Sequence, residues 1–218
     1  MHYIFEYLDK LKNNNSREWF HANKEEFEKA KYEAHRIFDN IYQELSKIEE
    51  LERIKKYRIN RDIRFSLDKT PYKTHFSAFI GRKKPYNRGG FYIHFESNKC
   101  FIAGGFWGPE KEDLLRIRQA IDYSDELENI LRQKPIVQSF GILFGEELKT
   151  APKGFPKDHE RIELLRKKQF LLIKNLKDEE VYFENFAKTV CKEYKILLPF
   201  FDYMTEVLTT NSNGEIII

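Results

Sequence analysis

The chain has 218 residues, 41% hydrophobic and 33% charged, with 19 Phe and 12 Tyr. This excludes a largely disordered polypeptide and supplies enough bulk for a sizeable core. Apolar runs such as Phe170-Leu171-Leu172-Ile173 are too short to cross a bilayer, and the N-terminal residues lack an apolar signal core. Two cysteines, Cys100 and Cys191, support neither a disulfide framework nor a thiolate zinc site. The expectation is a cytoplasmic protein with no membrane contact.

Charge is distributed unevenly. The net charge is +3, yet residues 1–52 carry −4, residues 53–88 carry +10 and residues 89–218 carry −3. The middle stretch has twelve Lys or Arg and only Asp62 and Asp68 against them. Such a run is either a solvated face paired with neighbouring acids or a site for phosphate, nucleic acid or another anion.

In chain order, Asn15-Ser16-Arg17-Glu18 reads as a helix start with Asn15 as cap, and Asn23 with Glu26 as a second. Phe27, Ala30, Ala34, Ile37, Phe38, Ile41, Leu45 and Ile48 then form one apolar stripe, predicting a long helix that ends near Leu51. Phe76 to Ile80 is a strand candidate. In the next, Phe91, Ile93 and Phe95 alternate with Tyr92, His94 and Glu96, so the first set faces a core and the second a cleft, solvent or another layer. Ser97-Asn98-Lys99 makes the turn into Cys100-Phe101-Ile102-Ala103. A helix opens at Pro109, with Leu114, Ile117 and Ile121 inward. Ser124, Asp158 and Asp178 start further helices, the last carrying Phe183, Phe186, Val190 and Tyr194. Ile136–Phe144 and Phe170–Ile173 read as strands, and a final helix begins near Pro199. The predicted fold is α+β: one domain over 1–218, an antiparallel or mixed sheet packed by a long N-terminal helix and C-terminal helices.

The densest polar constellation is Arg58-Ile59-Asn60-Arg61-Asp62-Ile63-Arg64-Phe65-Ser66-Leu67-Asp68-Lys69-Thr70-Pro71-Tyr72-Lys73-Thr74-His75. It is no phosphate loop, nucleophile elbow or metalloprotease helix. It resembles the signature of the domain of unknown function 2461 family. The resemblance extends to Asn13-Asn14-Asn15-Ser16-Arg17-Glu18-Trp19-Phe20, to Asn23-Lys24, and to Gly104-Gly105 followed by Pro109. Ala151-Pro152-Lys153-Gly154-Phe155 and Lys157-Asp158-His159 continue it. Glu160 stands where the family pattern has Pro, which bears on one helix start. The resemblance implies membership of a family without an established activity, so it assigns no catalytic residue and no cofactor.

On the residues themselves, Arg61, Arg64, Lys69, Tyr72 and Lys73 are candidate donors to an oxyanion, with Tyr92 and His94 facing the same cleft. The alternative is an internal network in which Asp62 and Asp68 order Arg61, Arg64 and Lys69. Gly104-Gly105 ahead of a helix start offers a second place for an anion, or relief of crowding at a strand end. The loop Lys149–Lys157 is a third basic feature, either a lid or a surface crossing. His94 and Glu96 share a strand face roughly 7 Å apart along the chain and, with His75, make a two-His-one-carboxylate set. A strand histidine is more often packed or hydrogen bonded, so no metal is expected. The leading expectation is binding of a phosphorylated or other anionic ligand at Arg61–Lys73. The alternatives are a scaffold or interaction protein and a weak nucleic-acid binder. Nothing in the sequence bears on oligomeric state.

Overall fold

The structure, a computed structural model, describes residues 2–211 and 213–217. Five antiparallel strands lie in sequence order: β1 (Lys55–Lys56), β2 (Phe76–Gly81), β3 (Gly90–Phe95), β4 (Cys100–Phe106) and β5 (Phe170–Leu176). The fold is α+β, with the helices collected before the sheet, between β4 and β5, and after it.

The period-2 alternation sorts the two faces of the sheet. Phe91, Ile93 and Phe95 are fully buried on one face together with Phe76, Ala78, Ile80 and Ile102. Three helices cover that face. The first is α3 (Lys24–Leu45), whose buried residues Phe27, Ala30, Ala34, Phe38, Ile41 and Leu45 recur every three or four positions. Phe38 stacks on Phe95 at 4.8 Å and Phe27 on Phe76 at 6.2 Å. From α8 (Phe186–Ile196) and α9 (Leu198–Thr209), Tyr194 and Phe201 meet Phe91 at 4.6 and 4.9 Å. Large aromatic rings thus fill the layer between helices and sheet, where each buried ring contributes a few kcal/mol of burial.

Several boundaries differ from expectation. α3 stops at Leu45, because Ser46 turns its hydroxyl onto the Gln43 carbonyl and Glu49 swings aside to meet Arg82. Ile48 is consequently 39% exposed rather than buried. Ser16, not Asn15, caps α2 (Arg17–Ala22), accepting from the Trp19 N–H. Ile136–Phe144 is not a strand: Lys134–Phe140 is helix α6, started by Pro135 and ended by Gly141 at φ 72°. Its buried residues, Ile136 and Phe140, stand four apart as a helix requires. The helix expected at Pro109 begins at Lys111 (α4, Lys111–Tyr123), and the one expected at Asp158 is the single turn α7, Ile162–Leu165. Asp178–Tyr182 is a 3-10 turn preceding α8, which leaves Phe183 exposed. A helix absent from the sequence reading, α1 (Tyr3–Asn13), packs Ile4, Tyr7, Leu8 and Leu11 into the core. The Ser124 hydroxyl accepts from the Glu126 N–H at the start of α5 (Glu126–Leu131).

Among the described residues no helix is long and apolar enough to cross a membrane.

Candidate functional site

The second face of the sheet is the floor of a cleft of about 770 Å³, a size typical of small-molecule sites. The strand registers build this floor as two cross-strand rows. Ser77, His94, Phe101 and Asn175 form one; Phe79, Tyr92, Ala103 and Ile173 form the other. Gly90 and Gly105 sit at the end of the floor beside Leu171, with the Phe79 ring in the place a Cβ on Gly90 would take. Trp107 and Phe144 wall that end, while Tyr57, Lys73 and His75 wall the other. The Gly-Gly pair is explained by packing. A Cβ on Gly104 would lie 2.4 Å from Leu197, and one on Gly105, at φ 141°, would lie 2.0 Å from the Phe170 carbonyl oxygen. Nothing of the Lys149–Lys157 loop lines the cleft.

His94 is the centre of a polar line along the floor. Its Nδ1 lies 3.2 Å from the Tyr92 hydroxyl and its Nε2 lies 3.3 Å from Glu96 Oε2. A carboxylate only accepts, so in the neutral ring Nε2–H donates to Glu96 and Nδ1 accepts from Tyr92. The other Glu96 oxygen accepts from Thr74 Oγ1 at 3.3 Å. The ring lies between Phe101 at 4.6 Å and His75 at 4.2 Å. Burial lowers the pKa of His94, and burial, His94 and Lys73 together push that of His75 down to about 4. Burial also raises that of the Tyr92 phenol. On the covered side of the sheet, Tyr194 donates to the Tyr92 carbonyl at 2.7 Å and fixes the backbone beneath the line.

The structure divides the sequence-predicted donors into two groups. Backbone bonds Arg61 N–H to Pro71 O and Lys73 N–H to Ile59 O close residues 61–71 into a loop. Inside it the Arg61 guanidinium meets Asp68 and Thr70, and Lys69 donates to the Ile63 carbonyl at 3.0 Å. Arg64 clasps Asp62 with two bonds of 3.0 and 2.7 Å. These contacts hold Asp68 down to about 2 and Asp62 below the usual carboxylate range. Tyr72 faces the core, stacked on Phe20 at 4.0 Å. Asn15 clamps its backbone from both sides, accepting from Tyr72 N–H and donating to Tyr72 O. Two motif islands, around Asn15 and Tyr72 and 57 positions apart in the chain, therefore form one joint.

Lys73, Tyr92 and His94 reach the cleft. The Lys73 ammonium lies 5.4 Å from the centre of the Tyr57 ring, and among the described residues no carboxylate pairs with it. Burial and the nearby Arg58 lower its pKa. Elsewhere in the basic stretch, Lys56 pairs with Asp39, Arg82 with Glu49 and Asp202, and Arg88 with Asp113. Three of the twelve cations are thus answered by acids from other elements.

A family model described as "Conserved hypothetical protein (DUF2461)" matches residues 3–203. The chain belongs to the DUF2461 family. The match takes in the N-terminal joint, the 61–71 loop, the sheet and its cleft, and ends within α9. No curated protein and no solved structure matches the chain.

Tyr57, Ser77, Phe79, Ala103, Phe144, Leu171, Ile173 and Asn175 also line the cleft and are not among the sequence-predicted site residues. The signal for β5 was present in the alternation of Leu171, Ile173 and Asn175 with Phe170 and Leu172. The rest depended on knowing which strand pairs with which.

Proposed function

We propose that this protein binds a small amphipathic anion in the cleft on the open face of its sheet. The ligand's apolar body lies on Phe79, Phe101, Ala103 and Ile173, and its acidic head meets Lys73. The observation that carries this reading is the Lys73 ammonium, partly desolvated in the lining of an apolar cleft, with no carboxylate paired to it among the described residues. An anion is the partner such a group lacks. The exposed Arg58 adds positive potential at the same end. Tyr92 and His94, hydrogen bonded to each other and to Glu96, form the floor beside the head. In this reading Arg61, Arg64, Lys69 and Tyr72 act one step back, shaping the segment that presents Lys73. The apolar floor distinguishes the expected ligand from free phosphate, which would need a denser cage of donors.

The fluorescent sulfonate 8-anilinonaphthalene-1-sulfonate tests the reading. It should bind the folded protein at one site with enhanced emission. Lys73→Met removes one charge-assisted hydrogen bond, worth about 1.5–3 kcal/mol, and should weaken binding roughly 10- to 100-fold. Ala103→Trp, which fills the floor, should abolish it. Binding that survives both substitutions refutes the proposal.

A further inference from the structure

His75, His94 and Glu96 present one ligand atom each, all within 4.8 Å of one another. We infer that these three side chains form a binding site for a divalent first-row transition metal, open on its remaining sides to the cleft. This inference does not rest on the amphipathic-anion reading.

Local structure brings the three together. His94 and Glu96 are two apart near the end of β3, so both project to the open face. His75 immediately precedes β2, and the pairing of Ser77 with His94 brings its ring over that of His94. Metal bonds of about 2.1 Å hold two ligand atoms between about 3 Å apart when adjacent and about 4.2 Å apart when opposite. Three ligands on one side are all adjacent, so the widest separation, up to 4.8 Å, closes by about 1.8 Å, which rotation of the His75 side chain supplies.

The donor set and its surroundings fit the chemistry. Two imidazoles and one carboxylate on one side, with the remaining positions free, suit Fe²⁺, Mn²⁺, Co²⁺ or Zn²⁺ rather than Mg²⁺ or Ca²⁺. Neither ring nitrogen of His75 has a hydrogen-bond partner among the described residues. The metal would take the place of the proton shared between His94 Nε2 and Glu96 Oε2, now 3.3 Å apart. His94 would then carry its proton on Nδ1 and donate it to the Tyr92 oxygen, 3.2 Å away. That is the outer hydrogen bond that sets the tautomer of a metal-ligating histidine. Thr74 holds the second Glu96 oxygen in the same outer role. The remaining coordination positions face the cleft, where His75 and His94 belong to the lining.

The test is a titration of the intact chain, stripped with chelator and desalted, with cobalt(II) chloride near neutral pH, followed by visible absorption and calorimetry. One equivalent should bind with ligand-field bands, zinc should displace it, and the melt should rise on loading. His75→Asn and Glu96→Gln should each weaken binding by about 100-fold or more, and Tyr92→Phe by about 10-fold. Should His75→Asn fail to melt cooperatively without metal, Glu96→Gln, at a side chain 21% exposed, carries the comparison. Absence of stoichiometric binding to the intact chain overturns the inference, as does binding that both ligand substitutions leave intact.

Discussion

Replacing Arg82 by Met separates the cations that hold the fold from those free to meet a ligand. Arg82 belongs to the +10 stretch, yet its side chain is 3% exposed. Its Nε donates to Glu49 at 2.8 Å, Nη2 to Asp202 at 2.8 Å, Nη1 to Thr205 at 3.2 Å, and the guanidinium lies 5.2 Å over the Phe201 ring. It ties the end of β2 to the chain beyond α3 and to α9. Met keeps the stem over Phe201 and removes the charge. The Asp202 contact adds little, since that carboxylate is 66% exposed, but Glu49 is 10% exposed and would be left charged and unpaired. Breaking a buried pair in this way costs about 3–5 kcal/mol. Because Glu49 follows a helix end and can partly rotate to water, the lower figure, about 3 kcal/mol, is expected. At roughly 2–4 °C per kcal/mol for a chain of this size, the melting temperature should fall by about 6–12 °C in a calorimetric scan. Arg64→Ala, which frees only the exposed Asp62, should leave the melt where it was. Equal effects from the two substitutions would refute the division into structural and solvent-facing cations.

Four further outcomes are expected. Ile41→Ala, on the fully buried stripe of α3, should cost about 2–5 kcal/mol in denaturant unfolding. Tyr194→Phe removes the side-chain donor to the Tyr92 carbonyl and should cost about 0.5–1.5 kcal/mol, read in the same assay. Burial, Lys56 and Lys31 hold the pKa of His35 below its ordinary 6.5 in the folded chain, so the unfolded chain binds more protons as pH falls through 6.5 and stability drops there. His35→Gln should flatten that part of the stability–pH curve relative to the parent. Fluorescence anisotropy with a labelled single-stranded oligonucleotide should show weak, salt-sensitive binding, because carboxylates answer Lys56, Arg61, Arg64, Arg82 and Arg88.

Much of the fold was legible because its strongest signals are periodic. The α3 stripe and the alternation in β3 fix which faces are buried whatever the neighbours do. α1 carries the same signal, with Ile4, Tyr7, Leu8 and Leu11 at helical spacing. Ile136–Phe144 is expected as a strand and is largely helix because a short apolar run does not distinguish the two, although Pro135 and Gly141 mark the helix ends. The basic stretch shows the limit of local reading. Composition located the excess charge, but the acids that answer it, Asp39, Glu49, Asp113 and Asp202, come from elements distant in sequence. Asn15 likewise reads locally as a cap, while its amide serves Tyr72 fifty-seven positions away. For the cleft, the sequence supplied Tyr92 and His94 from one strand's alternation. Lys73 stands out in the sequence as a basic donor, and His75 as a candidate third ligand beside His94 and Glu96. The pairing of β2 with β3 brings both to that cleft.

The central claim, that the cleft takes an anion with an apolar body, is tested most directly by calorimetric titration of octyl phosphate against octanol. The account predicts one site, at least a roughly 10-fold preference for the phosphate, and loss of that preference in Lys73→Met. Equal affinity for the two ligands, or a preference that Lys73→Met leaves unchanged, would contradict it.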